Sequence, residues 1–346
     1  MTVAADVEVR DIGEETEAWD AFVRRHPAGS PCHLGAWRRA VEAAFGHRPY
    51  YLVAEGDAGI EGVLPLFLCR ALMGGRALVS VPYGVYGGIL AMRPRAAAAL
   101  LGAAGALARR LGARYVELRH RREQALDLPT KSLYVTFARP ISASDADNLA
   151  AIPRKQRRMT RQGVRHGLRA VLGIEHLEAF WEIYAGSVQT LGSPVFPRRL
   201  LAHLAAEFGD EAELLTVWRE NRMVAGVLSF LYGDQILPYY GGAVRDAFRW
   251  AVNDFMYWEL MCHAARRGCR VFDFGRSREG TGSYQFKRHW GFEPVPLPYQ
   301  YVLVDGAPMP DVSPGNPRMR LAVATWKRLP GGVARRLGPL VTRYLP

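Results

Sequence analysis

Leu52 to Phe67 reads LVAEGDAGIEGVLPLF, and Thr216 to Leu231 reads TVWRENRMVAGVLSFL. Aligned without gaps, the two stretches share Val53/Val217 and the run Gly62-Val63-Leu64/Gly226-Val227-Leu228. Each is an apolar run, a charged turn and a second apolar run, which is the pattern of a β-hairpin. The likeness continues outward. Pro82-Tyr83-Gly84-Val85-Tyr86-Gly87-Gly88 is followed in the second stretch by Pro238-Tyr239-Tyr240-Gly241-Gly242. Helices are predicted from about Arg95 to Leu111 and from about Trp250 to Arg267, each closing on a basic last turn and a glycine, Gly112 or Gly268. Cations in the final turn and glycine just past it are what a helix C-terminus favours. A strand with one acid follows, Tyr115-Val116-Glu117-Leu118 or Val271-Phe272-Asp273-Phe274. Three matches in one order identify two copies of a single α/β unit.

The expected architecture is α/β (α+β): each copy a mixed sheet flanked by helices, plus a basic C-terminal tail. The boundaries read as 1–140 for the first domain, 141–310 for the second, opened by a basic helix, and 311–346 for the tail. At 346 residues, two domains are also the default from length. No apolar run approaches the ~20 residues of a membrane span. The N-terminal stretch lacks the layout of a signal peptide. The four cysteines show no disulfide or zinc spacing, and the histidines no metal-binding spacing, so a reducing cytoplasm and no metal are expected.

The net charge of +12 is concentrated. Residues 148–174 contain no acid and seven bases: Arg154, Lys155, Arg157, Arg158, Arg161, Arg165 and Arg169. Residues 312–346 again contain no acid and seven bases: Arg318, Arg320, Lys327, Arg328, Arg335, Arg336 and Arg343. The rest of the chain is close to neutral. Helical spacing puts Arg154, Arg158, Arg161, Arg165 and Arg169 along one face, either a solvated face or one relieved by an anionic ligand. The tail reads as a helix packed on the body or as a surface helix at an anionic membrane.

The second copy ends in GTGSYQFKRHWGF, residues 280–292. On composition Lys287 is a solvated cation on a loop. The aromatic neighbours Phe286 and Trp290, and the permissive glycines ahead of it, favour a placed ammonium instead. Asp273 is either a carboxylate capping a turn or pairing with Arg276, or a general base at a strand end. Arg276 suits bidentate capture of phosphate or carboxylate. Tyr239 and Tyr240 are either core packing or substrate-lining.

The unit ending in Tyr284-Gln285-Phe286-Lys287 … Gly291-Phe292, with the basic helix opening its second domain, resembles the FemAB family. Family members are tandem GNAT-fold proteins that move an aminoacyl group from aminoacyl-tRNA to an amine of a peptidoglycan precursor. The likeness is closest to the subgroup associated with exosortase/PEP-CTERM and exopolysaccharide genes. It is carried by Ile152-Pro153-Arg154-Lys155-Gln156-Arg157, Gly192-Ser193-Pro194-Val195-Phe196, Phe272-Asp273-Phe274-Gly275-Arg276-Ser277, and Asn316-Pro317 … Trp326-Lys327-Arg328-Leu329-Pro330. The coiled-coil arm of many cell-wall members is missing.

The resemblance implies catalysis by Lys287 and Asp273. It implies substrate contacts from Phe286, Tyr284, Arg276, Tyr239, Tyr240, Arg154, Lys155, Arg158 and Arg161. It also implies aminoacyl-tRNA as co-substrate with no tightly bound cofactor, and a lipid- or nucleotide-diphosphate-linked glycan precursor as acceptor. The location would be cytoplasmic, peripheral at the inner face of the membrane. Two other readings stand beside it. One is an acyl-CoA-dependent GNAT N-acyltransferase, although the Gln/Arg-x-x-Gly-x-Gly/Ala pyrophosphate loop is absent before either helix. The other is a non-catalytic basic scaffold for membrane or nucleic acid.

Overall fold

The structure, a computed structural model, describes residues 7–57, 59–70, 74–310 and 316–345. Two compact units emerge. One comprises Met1–Leu133, Pro296–Asp311 and Val341–Pro346; the other comprises Tyr134–Val295 and Val312–Leu340. The units are therefore not the linear blocks 1–140, 141–310 and 311–346.

The first unit runs β1 (Glu8–Asp11), α1 (Glu17–Arg25), α2 (Gly35–Phe45), β2 (Arg48–Gly56), β3 (Gly59–Arg70), β4 (Arg76–Val79), β5 (Leu90–Ala91), α3 (Pro94–Arg110) and β6 (Ala113–Arg119). The expected hairpin is β2–β3, in antiparallel register with Val53 opposite Val63. β1 extends it on one side and β4 on the other, and β4 pairs with β6 in parallel. Pro94 opens α3, where its missing N–H costs nothing, and Gly112 follows the helix at φ +63°. Leu52, Leu64, Leu66, Leu78, Leu100, Val116 and Leu118 form the core between α3 and the sheet.

The second unit repeats the pattern. β7 (Thr130–Pro140), α4 (Asp145–Ala151), α5 (Arg154–Arg165), β8 (Leu168–Leu172), α6 (Leu177–Leu191) and α7 (Arg198–Phe208) come first. Then come β9 (Ala212–Arg219), β10 (Arg222–Tyr232), β11 (Gln235–Ala243), α8 (Val252–Arg266), β12 (Val271–Arg278) and α9 (Gly282–His289); β13 (Val295–Leu303) follows in sequence but belongs from Pro296 onward to the first unit. The β9–β10 hairpin turns through Glu220-Asn221, with Glu220 at φ +55°, the left-handed geometry of a two-residue hairpin turn.

Each sheet is completed by a strand from outside its own copy in the sequence. β13 lies antiparallel to β6, with Tyr301 opposite Glu117, in the first unit. Residues 134–140 of β7 lie antiparallel to β12 in the second. Phe137 of β7 is fully buried there with Val217, Val227, Phe255, Leu260, Phe272, Trp290 and Phe292. Burying each such side chain contributes about 1.5–3 kcal/mol.

The tail is helical: α10 (Pro317–Arg328) and α11 (Gly331–Thr342). Both lie against the second unit's own elements. Gln189 of α6 donates to the Leu329 carbonyl at 2.7 Å, and Arg335 pairs with Glu182 at 3.4 Å. The side chain of Arg318 is outside the described residues. No helix among the described residues is long and apolar enough to cross a membrane.

Helix α6 sits so close to β11 that a Cβ built on Gly242 would lie 2.9 Å from the Tyr184 Cα. A backbone atom cannot yield as a side-chain tip can. Gly242→Ala should therefore cost about 1–3 kcal/mol of stability through overpacking, seen as a lower midpoint in denaturant at unchanged m-value.

Candidate active site

The second sheet opens at one place. β11 and β12 pair in parallel only at Gln235–Val271 and Ile236–Phe272. Beyond those residues β11 continues on β10 alone, and β12 on β7 alone. Both departing strands are irregular there. The β10–β11 register shifts at Leu228/Ser229, leaving Tyr239 without an opposite number, and the β12–β7 register shifts at Asp273/Gly275, leaving out Phe274. Bulges re-aim strands and side chains beside sites of this kind.

The first unit closes the equivalent position. After Val79 pairs with Glu117, the Ser80 N–H donates to the Glu117 carbonyl at 3.0 Å, and the Arg119 N–H donates to Ser80 Oγ at 3.0 Å. The Arg119 guanidinium donates to the carbonyls of Val81 and Gly84, at 3.0 and 3.1 Å. The Gly87 N–H donates to the Arg119 carbonyl at 2.7 Å. Strand and loop are stitched together across what is a gap in the second unit.

Lys287 stands where β12 leaves β11. It is on a helix, not a loop. Thr281 caps α9, its hydroxyl accepting from the Tyr284 N–H at 3.3 Å, so the glycine-rich run is a helix entry. Lys287 is buried, with 8% exposure. Its Nζ donates to three successive carbonyls, Phe274 at 2.8 Å, Gly275 at 3.0 Å and Arg276 at 3.0 Å. An ammonium has three donors, and all three are matched here. Nζ also lies 5.6 Å from the Phe137 ring centroid and 5.9 Å from that of Phe274. Burial pushes the lysine down to about 7; nearby Asp273 works against that shift and Arg276 with it.

Asp273 is fully buried, and its Oδ1 accepts the Gly275 N–H at 2.8 Å. It thereby braces the bulge, in which Gly275 adopts φ +64°. Arg276 is half-buried, its guanidinium 4.6 Å from the Tyr134 ring centroid.

Tyr284 packs edge-on against Phe137 at 5.4 Å, and Phe286 lies 5.6 Å from Tyr257. Tyr239 is half-buried and packs on Phe230, while Tyr240 is buried against Tyr184 and Phe196. Beside them, Gly242 leaves room for the backbone of α6 at Tyr184.

Arg154, Lys155, Arg158, Arg161 and Arg165 are exposed on α5, and none forms an ion pair among the described residues. The opposite face carries buried Gln156, Thr160 and Gly163, and a Cβ built on Gly163 would lie 2.6 Å from Phe255 Cβ of α8. Arg169 does not belong to this face. The helix ends at Arg165, Gly167 turns the chain at φ +72°, and Arg169 lies on β8 with a hydrogen bond to the Glu220 carbonyl at 3.4 Å.

The two motifs at opposite ends of this unit meet. A Cβ built on Gly291 would lie 3.3 Å from Pro153, and Arg139 of β7 donates to the carbonyls of both Ala151 and Trp290. Trp290 Nε1 donates to Asp254 Oδ1 at 3.0 Å in the first turn of α8. Burial raises the Asp254 carboxyl to about 6, partly opposed by the Trp290 hydrogen bond and the charges of His289 and Lys155. Tyr134, Phe137, Asp254 and Tyr257 were not anticipated from the sequence. The alternating run Tyr134–Phe137 was the available signal, but it lies outside both copies. Among the described residues, no cluster of three or more His, Cys, Asp or Glu could hold a metal ion.

Residues 147–288 match the acetyltransferase (GNAT) domain family. No curated protein matches the chain. Among solved structures, FemX is similar over 86% of this chain and 97% of its own, with 16% identity and a TM-score of 0.66. A tandem GNAT protein from the clavulanic acid biosynthesis pathway is similar over 88% of this chain and all of its own, with 13% identity and a TM-score of 0.56. The C-terminal domain of an Agrobacterium fabrum protein described as a lysylphosphatidylglycerol synthetase covers 84% of this chain and 91% of its own, with 14% identity and a TM-score of 0.57. The chain thus has the GNAT acyltransferase fold, with tandem GNAT proteins among its structural neighbours.

The raised Asp254 carboxyl has a thermodynamic consequence. Its folded pKa exceeds the ordinary 3.8, so its neutral form contributes stability fully present below about pH 4 and lost as pH rises through about 6. Asp254→Asn keeps an oxygen to accept from Trp290. Relative to the wild type, this variant should gain up to about 2–3 kcal/mol between pH 4 and pH 7, read from paired thermal melts across that range.

Proposed function

We propose that the chain is an acyltransferase of FemAB type, moving an aminoacyl group from aminoacyl-tRNA to an amine on a cell-envelope or exopolysaccharide-related acceptor. The observation that carries this reading is the buried Lys287 ammonium, fixed at the point where β11 and β12 part. Attack of an amine on an acyl ester builds an oxyanion, and a preplaced cation in a site shielded from water stabilises it most effectively.

The Phe274 carbonyl holds its lysine bond in the buried interior, whereas the bonds to Gly275 and Arg276 are only partly buried. A substrate oxygen arriving from the accessible side exchanges with one of those two carbonyls. The acceptor nitrogen forms the new bond to the carbonyl carbon, and the tetrahedral intermediate collapses by expelling the 3′-oxygen of the tRNA ribose. The amine loses a proton and the leaving oxygen gains one. Lys287 supports the negative charge at each stage. Arg276 and the Tyr239/Tyr240 strand end frame the acceptor, and an aminoacyl ester is already activated, so positioning supplies much of the remainder.

Two features of the surroundings support this donor class. The exposed cations Arg154, Lys155, Arg158 and Arg161, none of them in an ion pair among the described residues, suit an extended polyanion. The N-terminus of α8, the place where GNAT enzymes receive a pyrophosphate, carries the Asp254 carboxylate and no glycine-rich loop. A second anion there meets a like charge. The acyl-CoA reading retains support from the match of residues 147–288 to an acetyltransferase domain. The acceptor rests on resemblance alone: the exosortase-associated motifs point to exopolysaccharide, and the tandem fold is shared with FemX.

Two measurements test the proposal. Aminoacyl-tRNA should stabilise the purified protein against heat and donate its aminoacyl group to an amine acceptor; stabilisation and turnover with acetyl-CoA alone would overturn the donor assignment. Single-turnover transfer should fall as pH rises through about 7, where Lys287 loses its charge, and Lys287→Ala should slow transfer by about 10²–10³-fold. A rate that instead climbs through pH 7 and levels off would make the neutral lysine a base and remove the oxyanion role.

A further inference from the structure

Helix α11 is built inside out. On α11 the inward residues are small: Ala334 is buried, and a Cβ built on Gly338 would lie 2.9 Å from the backbone nitrogen of Val195. The large aliphatic residues point outward. Val333, Leu337 and Leu340 are 41%, 41% and 65% exposed, and their spacing at i, i+4 and i+7 makes one stripe. Leu321 on α10 is 70% exposed, and Leu191, at the α6 end that packs on α10, is 68% exposed. A helix docked for packing alone would turn Leu inward and leave Ala and Gly out.

The surroundings of the stripe are cationic. Arg320, Lys327, Arg328 and Arg336 are exposed, and residues 312–346 contain no acid. Arg335 alone among the described bases of the two helices pairs with an acid, Glu182. From this combination we infer that the outer face of α10 and α11 docks on a lipid surface bearing anionic headgroups.

Large aliphatic side chains interleaved with cations match the two layers of such an interface, acyl chain beneath and phosphate above. Nucleic acid would use the cations and leave the leucines in water. A second copy of the same face would bring two sets of like charges together without acids to relieve them. The inference is independent of the transferase reading, because docking requires no donor or acceptor.

The test is vesicle sedimentation of the full chain. The protein should pellet with phosphatidylcholine vesicles containing about one third phosphatidylglycerol and remain in the supernatant with phosphatidylcholine alone, the added salt dependence being that of an electrostatic attraction. Leu337→Asp with Leu340→Asp, both at exposed positions, should lower the partition coefficient roughly tenfold or more while leaving the circular dichroism spectrum intact. Leu340→Trp serves as an internal probe, its emission shifting to the blue on the anionic vesicles. Failure of the wild type to pellet, equal pelleting of the double aspartate variant, or an unshifted Trp emission would each overturn the inference. So would a wild-type dimer in sedimentation velocity that Leu340→Asp converts to monomer, since a second copy would then cover the face.

Discussion

A desolvated ammonium bound to three consecutive backbone carbonyls organises the second unit. Taking a lysine out of water costs several kcal/mol. Three charge-assisted hydrogen bonds, each worth about 1.5–3 kcal/mol, return much of that cost, while burial still pushes the lysine pKa down. The carbonyls can converge only because β12 is bulged. Gly275 supplies the positive φ, Asp273 accepts the Gly275 N–H, and β7 skips Phe274. The lysine can reach them only because Thr281 starts a short helix immediately after the strand. Bulge, carboxylate, cap and cation are one construction.

The sibling unit solves the same local problem with the opposite result. At its corresponding strand, Arg119 reaches to the Val81 and Gly84 carbonyls, so its cation ties the strand to the neighbouring loop. Lys287 ties β12 to itself. One arrangement joins strand and loop across the parting of the parallel strands, and the other leaves the parting open. Glu117 and Asp273 occupy matching places, yet Glu117 pairs with Arg119 and accepts from Tyr301, whereas Asp273 holds a backbone N–H. Duplication supplied one frame, and a few side chains differentiate an open sheet from a closed one.

Much of this frame is legible in the sequence because local chemistry writes it. The hairpins show as apolar runs around charged turns, and α3 and α8 end at their glycines and basic turns. Lys287 was harder to place. Gly280, Gly282 and Ser283 look like a flexible loop, and the Thr281 cap is hidden among them. The basic face was overextended for a related reason: helical spacing runs on past Gly167, but the αL turn there does not, so Arg169 falls on a strand. The exchange of closing strands was invisible. Nothing within Tyr134–Pro140 names β12 as its partner, because alternation encodes which face is buried and not which strand lies alongside. Hence Phe137 and Tyr134, which pack against Lys287 and Arg276, could not be assigned to the site.

Charge placement supplies the last constraint. Two features of the second unit bear on anions, the N-terminus of α8 and the basic face of α5, and the two helices pack together. The first turn of α8 carries Asp254, whose carboxyl is raised by burial and accepts from Trp290 Nε1. None of the exposed cations of α5 forms an ion pair among the described residues, and repulsion along one helix face costs a few tenths of a kcal/mol for each close pair. A compact pyrophosphate at the α8 N-terminus would leave that repulsion in place. A long anion lying along α5 would remove it. The charges of Lys155 on α5 and His289 on α9 both act on Asp254 against the rise that burial imposes, so the start of α5 and the first turn of α8 share one electrostatic corner of the second unit.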